Sequence, residues 1–201
     1  MATTVMALVV AALGVFTKAV MDGSDEATRI GNATQIGRVV LSRIAHKVEP
    51  SRQVLKMSDA LRSKAGMDQV LLVWERDGDP NDMAPGQVNF VELVIFAPAK
   101  NRPTQLWEIR PQVDPALTVP LDLPDLLFTW IELFRSGQSI VQPPTVVLDQ
   151  LGGIHFEVDE YTAPEGIGGL VQQNVRTSLC ISPPDQLSTV FFWSATRRYV
   201  P

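Results

Sequence analysis

The chain has a single cysteine, Cys180, among 201 residues. One cysteine closes no intramolecular disulfide, so a stapled scaffold is excluded. No histidine or basic cluster flanks it in VRTSLCI, so nothing near it in sequence marks it as a reactive thiol. Cys180 reads as a small strand residue, buried or half-buried. Only two histidines occur, His46 and His155, and neither has a partner at a metal-ligand spacing. His46 falls among charged helix residues and reads as solvated. His155 alternates with Ile154 and Phe156 and is expected to face out or to meet a neighbour. No basic run exceeds the pair Arg197 and Arg198, and the net charge is −5. Phosphate backbones need a basic surface, which argues against nucleic acid as the main partner. No GxSxG elbow is present. Gly166, Gly168 and Gly169 lack the spacing and the strand-then-helix context of a phosphate loop. Asp159 and Glu160 read as ordinary surface charge. These absences predict a protein that is not an enzyme, with no cofactor and no catalytic, cofactor-binding or metal-ligating residue.

Two further absences organise the chain. No charged residue occurs from Met1 to Thr17, and no proline before Pro50. After the apolar stretch, Ala27, Ile30, Ala33, Ile36, Val40, Ile44 and Val48 recur at spacings of three and four. Asp25, Glu26, Arg29, Arg38, Arg43 and Lys47 fall between them. That is helical periodicity, and Pro50 is a credible stop. Gly14, Gly23, Gly31 and Gly37 weaken the helix. A continuous helix of about 45 residues at ~1.5 Å rise would be roughly 65–70 Å long. The division expected is an apolar half-helix over 1–21, an amphipathic half over 22–49 that packs on a head, and a β-rich head over 50–201.

The head alternates strand-like runs with turn chemistry. Residues 52–57 could begin as a strand, and 58–64 read as a short helix or turn closed by Gly66. Runs at 69–74, 88–96 and 104–110 read as strands, with a hairpin turn at 98–103. Leu123, Leu126, Leu127, Trp130, Ile131 and Phe134 lie mostly on one side of a helix near 124–136, ended by Gly137 and packed on the sheet. Strands return at 145–148, 153–158, 175–181 and 188–193, with a loop at 162–170. In the third of these, Val175, Thr177, Leu179 and Ile181 point one way, and Arg176, Ser178 and Cys180 the other. The fold class expected is α+β, a long N-terminal helix on a small, half-buried antiparallel sheet.

One constellation has hard-cation chemistry. In the loop from Asp77 to Gly86, Asp77, Asp79 and Asn81 alternate oxygen ligands, and Glu92 follows. The calcium-loop spacing is wrong. Asp82 stands where glycine is needed, Glu92 comes four residues late, and strands replace the flanking helices. A solvated hairpin loop is the preferred reading.

The uncharged start admits several readings. A secretory signal needs a basic n-region, which MATT does not offer. A core helix is not usually so long or so apolar all round. A membrane span needs about 20 apolar residues, and this stretch has fewer before Lys18. An apolar half-helix running into an amphipathic half and then a small antiparallel sheet resembles the type IV pilin and pseudopilin class. Residues 2–12, ATTVMALVVAA, look like the run just beyond that class's conserved glutamate. Its basic leader, cleavage glycine and glutamate are not in this chain, so the resemblance implies a helix whose first turns lie before Met1. The order of RVVLSRIAHKV, the 71–96 strand–loop–strand and the 153–181 pair with NVRTSLCI is most similar to the minor pseudopilin J group of type II secretion. The resemblance implies a non-catalytic subunit at the tip or start of a type II secretion pseudopilus or type IV pilus-like filament. Its implied partners are other pseudopilins through the N-terminal helix, an inner-membrane assembly platform, and membrane lipid before assembly. Its implied place is a single pass of the bacterial inner membrane, with the head in the periplasm. The alternative is a membrane-anchored periplasmic ligand-binding module using loop 77–86 or 162–170.

Overall fold

A computed structural model describes residues 2–75, 87–138, 142–162, 171–182 and 189–200. The chain is α+β, combining helices with antiparallel sheets. It divides into two units, Met1–Ile36 and Gly37–Pro201. Helix α1, Ala2–Val48, is continuous across 47 residues, and its glycines do not break it. Within the first unit the expected stripe is buried only in part: Ala33 is buried, while Ile30 and Ile36 are exposed.

The second unit opens with the end of α1. There Val40, Ile44 and Val48 are buried one turn apart, as the spacing predicts. His46 and Lys47 sit in the last turn, where positive charge suits the helix dipole. Ser51 turns back, its hydroxyl donating to the Val48 carbonyl at 2.7 Å.

Five strands follow in one antiparallel sheet, with the short helix α2, Asp59–Arg62, between the first two. They are β1 (Gln53–Leu55), β2 (Leu71–Trp74), β3 (Leu93–Pro98), β4 (Leu106–Ile109) and β5 (Thr145–Leu148), in that spatial order. The strand expected over 88–96 is corrected. Residues Phe90–Glu92 form a 3-10 turn, Asn89 before it makes only an isolated bridge to Thr118, and pairing with β2 starts at Leu93. Strands β2 and β3 are buried at every position. Both faces of the sheet are covered, which is why these runs read as apolar without alternation. On one face Leu72, Leu93, Ile95, Ala97 and Ile109 meet Leu127, Ile131 and Phe134 of helix α3, Pro124–Arg135. Helix α3 buries a narrower stripe than its sequence suggests, because Leu123 and Leu126 are exposed. Gly137 ends it with φ +70°, the left-handed geometry that glycine tolerates. The other face carries Val54, Leu71, Val73, Val94 and Phe96, level with Glu108.

A second sheet holds β6 (Leu151–Thr162), β7 (Val171–Ile181) and β8 (Val190–Val200) in that order. Two sheets therefore replace the single one expected, and β8 runs seven residues past the predicted end at 193. Strand β7 alternates as its sequence predicts. Val175, Thr177, Leu179 and Ile181 are buried, Arg176 and Ser178 are exposed, and Cys180 is half-buried. Strand β8 follows the same rule, with Phe192 inward and Phe191 and Trp193 outward. The Phe192 ring lies so close to Gly37 of α1 that a Cβ there would fall 2.6 Å from it. Only glycine permits that approach without moving the ring.

Candidate functional site

The feature with the clearest functional demand is the apolar half of α1. Met6, Val10, Leu13, Val15, Phe16, Val20 and Met21 are all exposed. They do not form one stripe. Val15 lies nine residues from Met6, which at ~100° per residue puts it on the opposite side of the helix. A helix apolar around its circumference is stable when something covers it.

The expected inner-membrane location is overturned. Among the described residues no helix is long and apolar enough to cross a membrane. The uncharged run ends at Lys18, and at ~1.5 Å per residue it spans about 25 Å, short of the roughly 30 Å hydrocarbon core. Lys18, Asp22, Asp25 and Glu26 then follow within little more than two turns.

The other end of α1 is fixed by charge. Arg43 Nε donates to Glu108 Oε2 at 2.8 Å. Glu108 is buried in β4, and Arg43 keeps its carboxylate paired there. Lys47 Nζ donates to Glu75 Oε1 at 2.7 Å. Arg110 grips the same carboxylate with both amino groups, at 2.8 and 3.1 Å. Its Nη2 also lies 3.8 Å from Glu108, so the five charges form one network. Nothing in the sequence pairs residues so far apart. The one signal is Glu108 itself, an acid inside the strand run TQLWEIR.

The network makes stability depend on pH. Burial is the largest influence on the Glu75 carboxyl and pushes its pKa up. The hydrogen bonds and charges of Arg110 and Lys47 together outweigh it, so the net pKa lies below the ordinary 4.5. The Arg110 guanidinium is held above its usual range, chiefly by its hydrogen bond to Glu75. A lowered carboxyl pKa contributes stability that is fully present above the unfolded value. It is lost as pH falls through the folded value. Glu75→Gln should therefore flatten the acid limb of the stability curve from about pH 4.5 downward. The effect should be about 0.5–1 kcal/mol, as for a partly exposed pair, and smaller in high salt. Urea midpoints at several pH values check this. An unchanged acid limb would mean that the network does not set the acid stability.

The remaining candidates are weaker. His155 Nδ1 lies 3.3 Å from Asp68 Oδ2, so the imidazole both faces out and meets a neighbour, as its sequence context suggests. Ser178 stands opposite His155 in the β6–β7 register. These are the residue types of a hydrolytic triad, but His155 on β6 and Asp68 in the 3-10 turn Met67–Gln69 are both half-exposed. Among the described residues no hydrogen bond joins Ser178 to His155. His46 is exposed. No group of three or more metal-ligating side chains occurs among the described residues. Loop residues 77–86 lie outside the described residues, as does 163–170. Glu92, weighed as the last calcium ligand, has one oxygen on the Trp74 indole at 2.9 Å. A cleft of about 720 Å³ runs beside β1, lined by Gln53, Lys56, Trp74, Thr118, Asp122 and Glu160.

No protein family, curated protein or solved structure matches this chain.

Proposed function

We propose that the chain is a non-catalytic subunit of a filament of the type IV pilus or type II secretion pseudopilus kind. In this reading it holds a minor position, at the tip or at initiation. It joins other subunits by packing its N-terminal half-helix against theirs. The observation that carries the reading is the exposed apolar surface from Met6 to Met21, which surrounds the helix. Surface of that extent marks an interaction site. With no helix fit to cross a membrane among the described residues, neighbouring helices are the cover that matches its shape. The order of the parts also supports the reading: an apolar half-helix, a continuous amphipathic half, then antiparallel sheets.

Sedimentation velocity of the full chain tests this. The wild type should self-associate with increasing concentration. Leu13→Asp with Phe16→Asp should weaken association about 100-fold or more, since each buried side chain of this size contributes about 1.5–3 kcal/mol. Both positions are exposed, so the second unit should keep its thermal transition. A wild-type chain that stays monomeric at every soluble concentration, with its helix formed by circular dichroism, would sink the proposal.

A further inference from the structure

The two sheets have four edges, and three of them carry a device that prevents strand addition. At β1, the Gln173 side chain occupies the outer edge, bonding both the N–H and the C=O of Val54. At β6, Arg62 Nη2 donates to the Phe156 carbonyl at 3.1 Å, and the 3-10 turn Met67–Gln69 packs against the strand. Strand β5 is only four residues long. Short, capped or covered edges are how native sheets avoid unwanted pairing. Strand β8 differs. It is 11 residues long and pairs with β7 on one side. From Val190 to Thr196, no other hydrogen bond to its backbone occurs among the described residues. Phe191 and Trp193 stand 77% and 80% exposed beside this open ladder.

We propose that β8 pairs antiparallel with β8 of a second copy, about a two-fold axis at Ala195, joining two three-stranded sheets into one of six. An open backbone ladder is satisfied by another strand, and an antiparallel pair is symmetric by construction. The register follows from length and charge. Ala195 is the midpoint of Val190–Val200, so this axis pairs the whole strand. It sets Trp193 level with Arg197 of the second copy, Phe192 with Arg198, and Phe191 with Tyr199. An axis between Arg197 and Arg198 would instead set arginine against arginine, which destabilises a sheet. Aromatic and guanidinium groups attract. This contact is separate from the helix surface of the proposed function and does not rest on it.

Cross-linking of the full chain tests the register. In a Cys180→Ser background, Ala195→Cys places two thiols on the axis. Residues opposite each other across an antiparallel pair have Cα atoms about 4.5–5.5 Å apart, within disulfide reach. Mild oxidation should link Ala195→Cys into dimers about ten-fold faster than Val146→Cys on the β5 edge, which lacks that geometry. Adding Trp193→Lys sets lysine against Arg197 twice and should slow linking about five- to ten-fold. Adding Arg197→Glu to that variant should restore it. The helix variant Leu13→Asp with Phe16→Asp should leave it unchanged, so failure here and failure of the filament reading are separately visible. Linking no faster than at Val146→Cys, or insensitive to Trp193→Lys, would overturn the proposal.

Discussion

Phe134→Ala should lower the unfolding free energy of the second unit by about 3–5 kcal/mol, the range for emptying a buried aromatic site. Phe134 is fully buried. It lies on the face of α3 that meets the five-stranded sheet, alongside Leu127 and Ile131. Its ring also closes a cluster of three. The Phe90–Phe134 centroids are 5.4 Å apart with an edge-on interplanar angle of 71°, and Trp130–Phe134 are 5.7 Å apart. Edge-on aromatic pairs add about 0.5–1.5 kcal/mol beyond their area. The site cannot easily collapse, because β3 behind it is paired on both sides and buried throughout. Phe134→Leu keeps most of the volume and should cost less than half as much. Urea midpoints followed by tryptophan fluorescence read the difference, since Trp130 borders the cavity. A loss below about 1 kcal/mol for Phe134→Ala would mean that α3 is a loose attachment rather than a layer of the core.

That layer is legible in the amino-acid sequence. The stripe through Leu127, Ile131 and Phe134, started by Pro124 and ended by Gly137, is a local pattern with local punctuation. Helix α1 is legible for the same reason, since its period and the lack of proline before Pro50 lie in consecutive residues. The alternation in β7 is equally local. Partition into sheets is not. Nothing in TVVL or GIHFEV shows that the first joins β4 while the second starts a separate sheet. The full length of β8 escapes a sequence reading because Arg197 and Arg198 resemble a strand end. The shortness of the first segment as a span is local too, since Lys18 arrives too early; the single membrane pass comes from the resemblance, not from these residues. The exposed half-helix of the candidate site is thus visible as a pattern. The pairs that fix its other end join residues as far apart as Arg43 and Glu108, which no local period reveals.

Gln173→Leu should destabilise the second unit by about 2–5 kcal/mol, although the substitution is apolar and the site is buried. Hydrophobic bookkeeping alone would predict a gain. The hydrogen bonds decide otherwise. Gln173 Oε1 accepts from the Val54 N–H at 3.0 Å, and Nε2 donates to the Val54 carbonyl at 2.9 Å and to Glu160 Oε1 at 2.8 Å. Gln173 and Val54 are both fully buried, so water cannot replace the amide. Leucine would strand one donor and one acceptor, each costing about 1–3 kcal/mol. Gln173→Glu keeps the acceptor but aims a carboxylate at the Val54 carbonyl and at Glu160. It should be worse than leucine at neutral pH and recover in acid, where a protonated carboxyl can donate. Hydrogen exchange of the peptide covering β1 should rise in both variants, because the amide side chain stands where a neighbouring strand would otherwise pair. If β1 stays protected and stability falls by less than about 1 kcal/mol, the amide is not what closes that edge. The contrast between the closed edge at β1 and the open one at β8 would then fail with it.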